Sequence, residues 1–471
     1  MGELQPSPAL VRRESNDIKS ELKNKYTWQQ VAEKNSAKEA WIIVRDKVYD
    51  VTEWLWKHPG GKEMLLLHAG RECTHTFDSY HQFSDKSANI LRKYEIGCLV
   101  GDSEFPTYLP DTGFYKECQR RVVAYFAKNH LNPKQNMPAM ARTLTIFPVG
   151  LLSYLLMTGC FTSNVLVMLI SSILHGCCVA IPLMHLVHDS SHGAITGNHK
   201  IWEFIGRLAM DWLNGLSFTS WNNQHIVGHH IFTNVAGVDP DLPVNFKSDI
   251  RRIVERQILQ PIYAWQHLYL PPLYGLLSLK FRIQDFTHTF FSRTNGAVRV
   301  NPISLKDWML LGSSKLFWIF HRIWIPLYVL NAPYFWLTFF LSEFVTGLYL
   351  AFNFQVSHIS LTCQYQCHDR DYCNIPEEWA ISQIKSSVDY AHGSSLVAFL
   401  SGGLNYQATH HLFPSISQYY LPEIAPIVRD VCRAYQIDYV VLPTFFDALK
   451  AHLLYLKVMG KNGKRVDVHM G

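Results

Sequence analysis

Three short stretches crowd imidazoles into few positions: "HDSSH" at 188–192, "HIVGHH" at 225–230 and "QATHH" at 407–411. A buried polar group without a partner is costly, so long apolar surroundings make such crowding expensive unless the rings share a ligand. His188 and His192 stand four apart and leave one face of a helix, and His225 and His229 repeat that interval with His230 beside them. His410 and His411 are adjacent, with Gln407 one turn earlier. Neutral imidazole is the commonest metal ligand, and seven from three segments exceed what one four-coordinate ion takes, which implies two metals. No cysteine lies in any cluster, which disfavours structural zinc and iron–sulfur sites. Zinc, copper, iron and nickel all suit imidazole, and a nitrogen-rich iron pair suits O₂ activation beside a lipid chain. For the lone His175, His185, His267 and His321 the better reading is a packed or interfacial ring. "CQYQCHDRDYC" at 363–373 fits neither a zinc ribbon nor a C-x-x-C-H haem attachment and reads as a loop.

A second pair of histidines stands apart. His58 in "WKHPGGKEML" and His81 in "YHQFSD" are twenty-three residues apart in a segment of ordinary charge density. Two axial imidazoles saturate a haem iron, which suits electron transfer rather than O₂ binding. Pro59, Gly60 and Gly61 let the backbone turn tightly beside a porphyrin.

The elements that position these groups divide by solvent. At 471 residues more than one domain is expected. Net charge is +5 with 17% charged residues, so no basic stripe invites nucleic acid. Apolar residues reach 48% and are clumped, pointing to a membrane. Residues 1–22 read as a disordered leader, 23–102 as a small soluble domain whose "AWIIVRDKVYDVTEWL" alternates like a hairpin, 103–141 as a polar connector with a helical stretch, "YKECQRRVVAYFAKNH", 142–460 as the membrane domain and 461–471 as a polar tail. The runs 144–161 and 164–187 carry no Lys, Arg, Asp or Glu and are long enough to cross ~30 Å of hydrocarbon. A second pair, 308–330 and 333–355, is interrupted by Lys315, Arg322 and Glu343. Basic residues fill the segment between the pairs, including Arg251, Arg252, Arg256, Lys280 and Arg282, so that segment and both termini are expected in the cytosol. Parity then puts all three histidine stretches, and His358 after the fourth span, on one membrane face. Ten cysteines without a disulfide framework fit a reducing compartment.

Residues 25–102, with "VYDVTEWLWKHPGG", "AGRECTHTFDSYH" and "LRKYEIGCL", resemble a cytochrome b5 domain. The remainder resembles the membrane fatty acid desaturases, whose pattern is H-x-x-x-H, H-x-x-(x)-H-H and H/Q-x-x-H-H. The fusion, with Gln407 opening the third box, resembles the front-end desaturases, which insert a double bond between an existing one and the carboxyl end. The usual third box is Q-I-E-H-H, and Ala408 and Thr409 depart from it without altering the spacing.

The resemblance implies an α+β cytochrome b5-like haem domain followed by an all-α multi-pass membrane desaturase domain of four transmembrane helices plus a cytosolic cap. It implies haem b on His58 and His81. It also implies two non-haem iron ions on His188, His192, His225, His229, His230, His358, His410 and His411, with Gln407 in the site. Asn353 is a candidate to hold a metal-bound water, offset from the spacing of the soluble relatives. Asp189 and Asp239 are candidates to orient ligand rings, and Trp221, Asn222 and Trp318 to line a bent acyl tunnel. Electrons would come from an NADH-cytochrome b5 reductase, with O₂ reduced to water and a cis alkene left in a fatty acyl lipid or acyl-CoA, at the endoplasmic reticulum membrane. The sequence most resembles delta-5 enzymes of twenty-carbon polyunsaturated chains. Delta-4, delta-6 and delta-8 enzymes share the scaffold, and a membrane-anchored haem electron carrier and an acyl hydroxylase are the readings from other classes.

Overall fold

The computed structural model describes residues 24–134, 137–367 and 374–461, so the leader, most of the tail and the second half of "CQYQCHDRDYC" lie outside the described residues. The chain divides into two compact units, 1–105 and 106–471, each with its own core.

In the first unit, Glu39–Val44 and Lys47–Asp50 form an antiparallel hairpin, as the alternation predicts. Its two turn residues, Arg45 and Asp46, have φ of 51° and 58°, the left-handed pair that matches the twist of the flanking strands. Glu95–Val100 adds to Lys47–Asp50, Asn24–Thr27 pairs parallel with Glu95–Val100, and Arg71–Glu72 joins the other edge. Side chains alternate across the pleat: Ile42 and Val44 pack with Leu55, Ala69 and Cys73, while Ile43 and Val48 pack with Trp28 and Val31 on the opposite face. The short helical segments Thr52–Lys57, Lys62–His68 and Thr74–Tyr80 bring His58 and His81 toward one another.

The second unit is mostly helical. Among the described residues three helices are long and apolar enough to cross a membrane: Met140–Met157, Val165–Ser191 and Phe335–His358. The last two approach closely at Gly176, where an added Cβ would stand 2.6 Å from the Ser342 carbonyl, and Thr346 Oγ1 donates to the Gly176 carbonyl at 3.1 Å. The helix Leu305–Ile319, continued by wider turns over Phe320–Val329, carries the charges that interrupt its apolar run. They turn inward. Lys315 pairs with Asp285 at 2.8 Å, and Arg322 at 3.3 Å and Arg282 at 2.5 Å both pair with the buried Glu343.

Two expectations need correction. Residues 106–134 are not a connector: Phe114, Cys118, Val122 and Phe126 recur every four residues and bury their stripe against Val428, Val431 and Cys432. The domain is also not all-α, because among the described residues four short strand pairs tie its loops. Among them, Val235–Ala236 lies parallel to Gln366–Cys367, and Thr107–Leu109 parallel to Asn374–Glu378.

Candidate functional site

Two sites emerge, one in each unit. In the first, His58 donates from Nδ1 to the Gly61 carbonyl at 3.1 Å and His81 to the Phe77 carbonyl at 2.9 Å. Each ring is thereby fixed in the tautomer whose lone pair, the one a metal takes, is on Nε2. The ring centroids are 6.3 Å apart, which leaves room for one iron with a metal–nitrogen bond of about 2 Å on each side. A Cβ on Gly60 would meet His58 Cε1 at 2.8 Å, so this residue must lack one for the ring to keep its place.

The second unit gathers all eight remaining predicted ligands. None of these histidines is more than 7% exposed. Ligand atoms of His188, His192, His225 and His410 lie within 4.8 Å of one another, and so do those of His229, His358 and His411. His230 stands between the two groups. Its Nε2 is 3.2 Å from the Nε2 atoms of both His225 and His410, and its ring stacks on that of His411 at 4.3 Å. Adjacent His410 and His411 thus fall in different groups, and His229 belongs to the second while its neighbour His230 bridges both.

Local backbone explains part of this. Asn223–His229 and Leu183–Val187 are π turns, in which residues five apart come into register, so His225 meets His230 in a way an α-helix would not arrange. Gln407–Leu412 is ordinary α-helix, and there Gln407 meets His411 four residues on, at 3.1 Å.

Outer partners hold the second group. His229 Nδ1 lies 3.2 Å from both oxygens of Asp239, His358 Nδ1 donates to the Ser386 carbonyl at 3.1 Å, and His411 Nδ1 donates to Gln383 Oε1 at 2.8 Å. All three rings therefore turn Nε2 inward. Gln407 Nε2 sits 2.9 Å from His358 Nε2 and 3.1 Å from His411 Nε2, and its Oε1 is buried without a hydrogen-bond partner. Half a turn of that amide would aim an oxygen at the same point.

Burial holds His225 at about 3, a neutral imidazole at physiological pH, and pushes His230, His410 and His411 the same way. For His229 burial also favours the neutral ring, but Asp239 and Asp241 outweigh it and raise the value to about 9. Neither nitrogen of buried His188 has a hydrogen-bond partner. Buried imidazole nitrogens converging from four parts of the chain fit a pair of imidazole-bound metal ions, whose positive charge would also displace a proton from His229.

Other predicted residues divide. Asp239 orients His229, whereas Asp189 stands 3.8 Å from His188 Nδ1. Asn353 is not brought into the cage: its amide donates to the Tyr349 carbonyl of its own helix at 2.9 Å. Trp221 lines the adjoining cavity, but Asn222 does not, and Trp318 packs with Phe335 and Phe339 in a separate cluster. His175 and His185 are packed residues, on Arg322 and on the Phe399 carbonyl. Sequence reasoning missed Gln383, Thr233 and Asn234. Thr233 Oγ1 donates to the His229 carbonyl at 2.7 Å and lies 3.1 Å from His411 Nδ1, and the Asn234 amide is shared among the carbonyls of His358, Gln364 and Ser386. Thr233 and Asn234 follow the second histidine stretch directly, which was the one available signal, and Gln383, far in sequence from every histidine stretch, gave none.

The cavity, about 930 Å³, is lined by His225, His229, His358 and Gln407 together with Trp221, Phe354, Tyr274, Arg251 and Lys280.

Residues 163–443 match the fatty acid desaturase family model. The chain belongs to the fatty acid desaturases. Residues 27–100 match the cytochrome b5-like heme/steroid binding domain, so this desaturase carries a fused haem-type domain. Delta(5) fatty acid desaturase A of Dictyostelium discoideum is 38% identical over 93% of this chain and 94% of its own length. Acyl-lipid (8-3)-desaturase B of the same organism is 38% identical over 95% and 97%. Acyl-lipid (8-3)-desaturase of Mortierella alpina is 36% identical over 94% and 96%. The desaturase is an oxidoreductase, with histidine groups that could hold metal and helices long and apolar enough to cross a membrane.

Proposed function

We propose that this desaturase introduces a delta-5 double bond into a twenty-carbon polyunsaturated acyl chain, between an existing double bond and the carboxyl end. The names of the most similar relatives support the position, and the cavity abutting the histidine cage is the observation that carries the reading. Haem b on His58 and His81 and two irons in the cage would together supply electrons and O₂ reduction when bound, with an NADH-cytochrome b5 reductase as donor.

The protein's own part is positional. Asp239, Ser386 and Gln383 hold His229, His358 and His411 with Nε2 inward, Gln407 completes that group, His188, His192, His225 and His410 form the other, and His230 stands between them. Trp221 and Phe354 exclude water from the methylenes that lose hydrogen.

Leu305–Val329 is a fourth span in this reading. Leu316, Phe317, Phe320, Trp324 and Tyr328 are exposed along it, as lipid contact requires, while its charges face inward. In this reading the haem domain and the histidine boxes both face the cytosol at the endoplasmic reticulum membrane, as an even number of crossings allows.

Expression in a yeast that lacks polyunsaturates, fed eighteen- to twenty-two-carbon acids, tests the proposal by mass spectrometric location of new double bonds. A delta-5 alkene from twenty-carbon substrate is expected. An alcohol, no product, or a double bond at delta-4, delta-6 or delta-8 would overturn it.

A further inference from the structure

Two neighbouring arginines meet different fates. Arg252 is buried and spent: Nε donates to the Gln257 carbonyl at 2.9 Å, Nη1 to Met459 and Nη2 to Glu255, each at 2.7 Å. Arg251 is only 9% exposed and lines the cavity. Its Nη1 donates to Gln355 Oε1 at 2.8 Å, and the Tyr274 hydroxyl is its other neighbour. Both are neutral. No carboxylate pairs with Arg251 among the described residues.

A guanidinium so enclosed is poorly compensated by an amide and a phenol, and an oxygen acceptor from a ligand would repay its desolvation. Most of the surrounding wall is apolar: Leu270, Leu273, Leu276, Leu277, Phe281 and Phe354. A ligand suited to it has a hydrocarbon body and one acceptor at its head.

Gln355 fixes where that acceptor would sit. It lies three residues before His358 on the same helix, one turn or about 4.5 Å along the axis. The fork it holds is therefore near the cage and not at a distant mouth. Lys280 lines the same cavity, exposed and without an ion pair among the described residues.

We propose that Arg251, held by Gln355, binds the carbonyl oxygen at the head of the acyl chain and so sets which carbons reach the cage. The inference rests on the desaturase reading and deepens it, since a short spacing between head contact and cage selects carbons near the carboxyl end. The ester of a phospholipid and the thioester of coenzyme A present the same carbonyl.

The test uses the full chain in membranes, with a twenty-carbon polyunsaturated acyl group on radiolabelled phosphatidylcholine and on coenzyme A. Equilibrium binding needs no turnover. With whichever carrier the wild type binds, Arg251→Gln should weaken binding about tenfold or more while retaining haem and non-haem iron. Arg251→Lys, which keeps the charge and loses the fork, and Gln355→Glu, which engages the guanidinium in an internal ion pair, should yield double bonds spread over more than one position. Unchanged affinity in Arg251→Gln overturns the proposal, as does an undisturbed double-bond position in the two milder variants. If Arg251→Gln loses its iron, Gln355→Glu decides by both readouts. A wild type that makes no alkene would instead remove the desaturase reading, so the two failures are distinct.

Discussion

Asp239→Asn tests the logic of the cage most directly. Both carboxylate oxygens lie 3.2 Å from His229 Nδ1, while Oδ1 also accepts from the Asp241 amide and Oδ2 from the Asn234 amide, each at 2.9 Å. Asparagine keeps the shape but removes the charge and replaces one acceptor with a donor. That donor must face either His229 Nδ1–H or a backbone N–H. Loss of such an outer partner costs about 10–100-fold in metal affinity, roughly 1.4–2.7 kcal/mol. The assay is the ratio of non-haem iron to haem in purified protein, followed by iron titration of the chelated form. Haem belongs to the other unit, so its absorbance counts molecules independently of the cage. A lower iron ratio at unchanged haem is expected, with conversion falling in proportion. An unchanged ratio and wild-type conversion would refute the claim that Asp239 orients a ligand. Asp189→Asn should cost less, because Asp189 stands 3.8 Å from His188.

Other outcomes follow from the same geometry. His229→Ala should abolish conversion while leaving the haem spectrum intact, and His58→Ala should do the reverse to the two cofactors, removing haem absorbance and keeping non-haem iron. Glu343→Gln leaves Arg282 and Arg322 buried against a neutral amide and should destabilise the second unit by about 3–5 kcal/mol, read as earlier loss of activity on heating. Gly60→Ala puts a methyl 2.8 Å from His58 Cε1 and should destabilise haem binding by about 1–3 kcal/mol, measured by haem transfer to an acceptor protein. Burial lowers His68 to about 4, so its unfolded form takes up a proton that the folded form refuses as pH falls from 6.5 to 4. Stability is lost in that window, by about 3 kcal/mol. Glu72, raised to about 7 by burial, slopes the opposite way, so the difference between wild type and His68→Gln in urea unfolding followed by haem absorbance isolates the histidine.

The histidine intervals, the alternation of "AWIIVRDKVYDVTEWL" and the uncharged runs near residues 150 and 175 are local patterns, and local chemistry suffices to read them. They determined the two kinds of site, the hairpin of the first unit and the first two membrane helices. Tertiary structure decided what depends on neighbours distant in the chain. Lys315 and Arg322 read as blemishes until Asp285 and Glu343 are seen to face them. The stretch around Phe114 read as a connector because the helix near Val428 that buries its stripe lies some three hundred residues later. The even spacing of an α-helix could not foretell that π turns bring His225 to His230, or that adjacent histidines part company. Nor could it foretell that Gln383 and Ser386 orient rings on other elements, or that Asn353 turns to its own backbone. A side chain's direction and partner belong to the packed whole, because burial is what makes each unpaired polar atom costly enough to choose one neighbour.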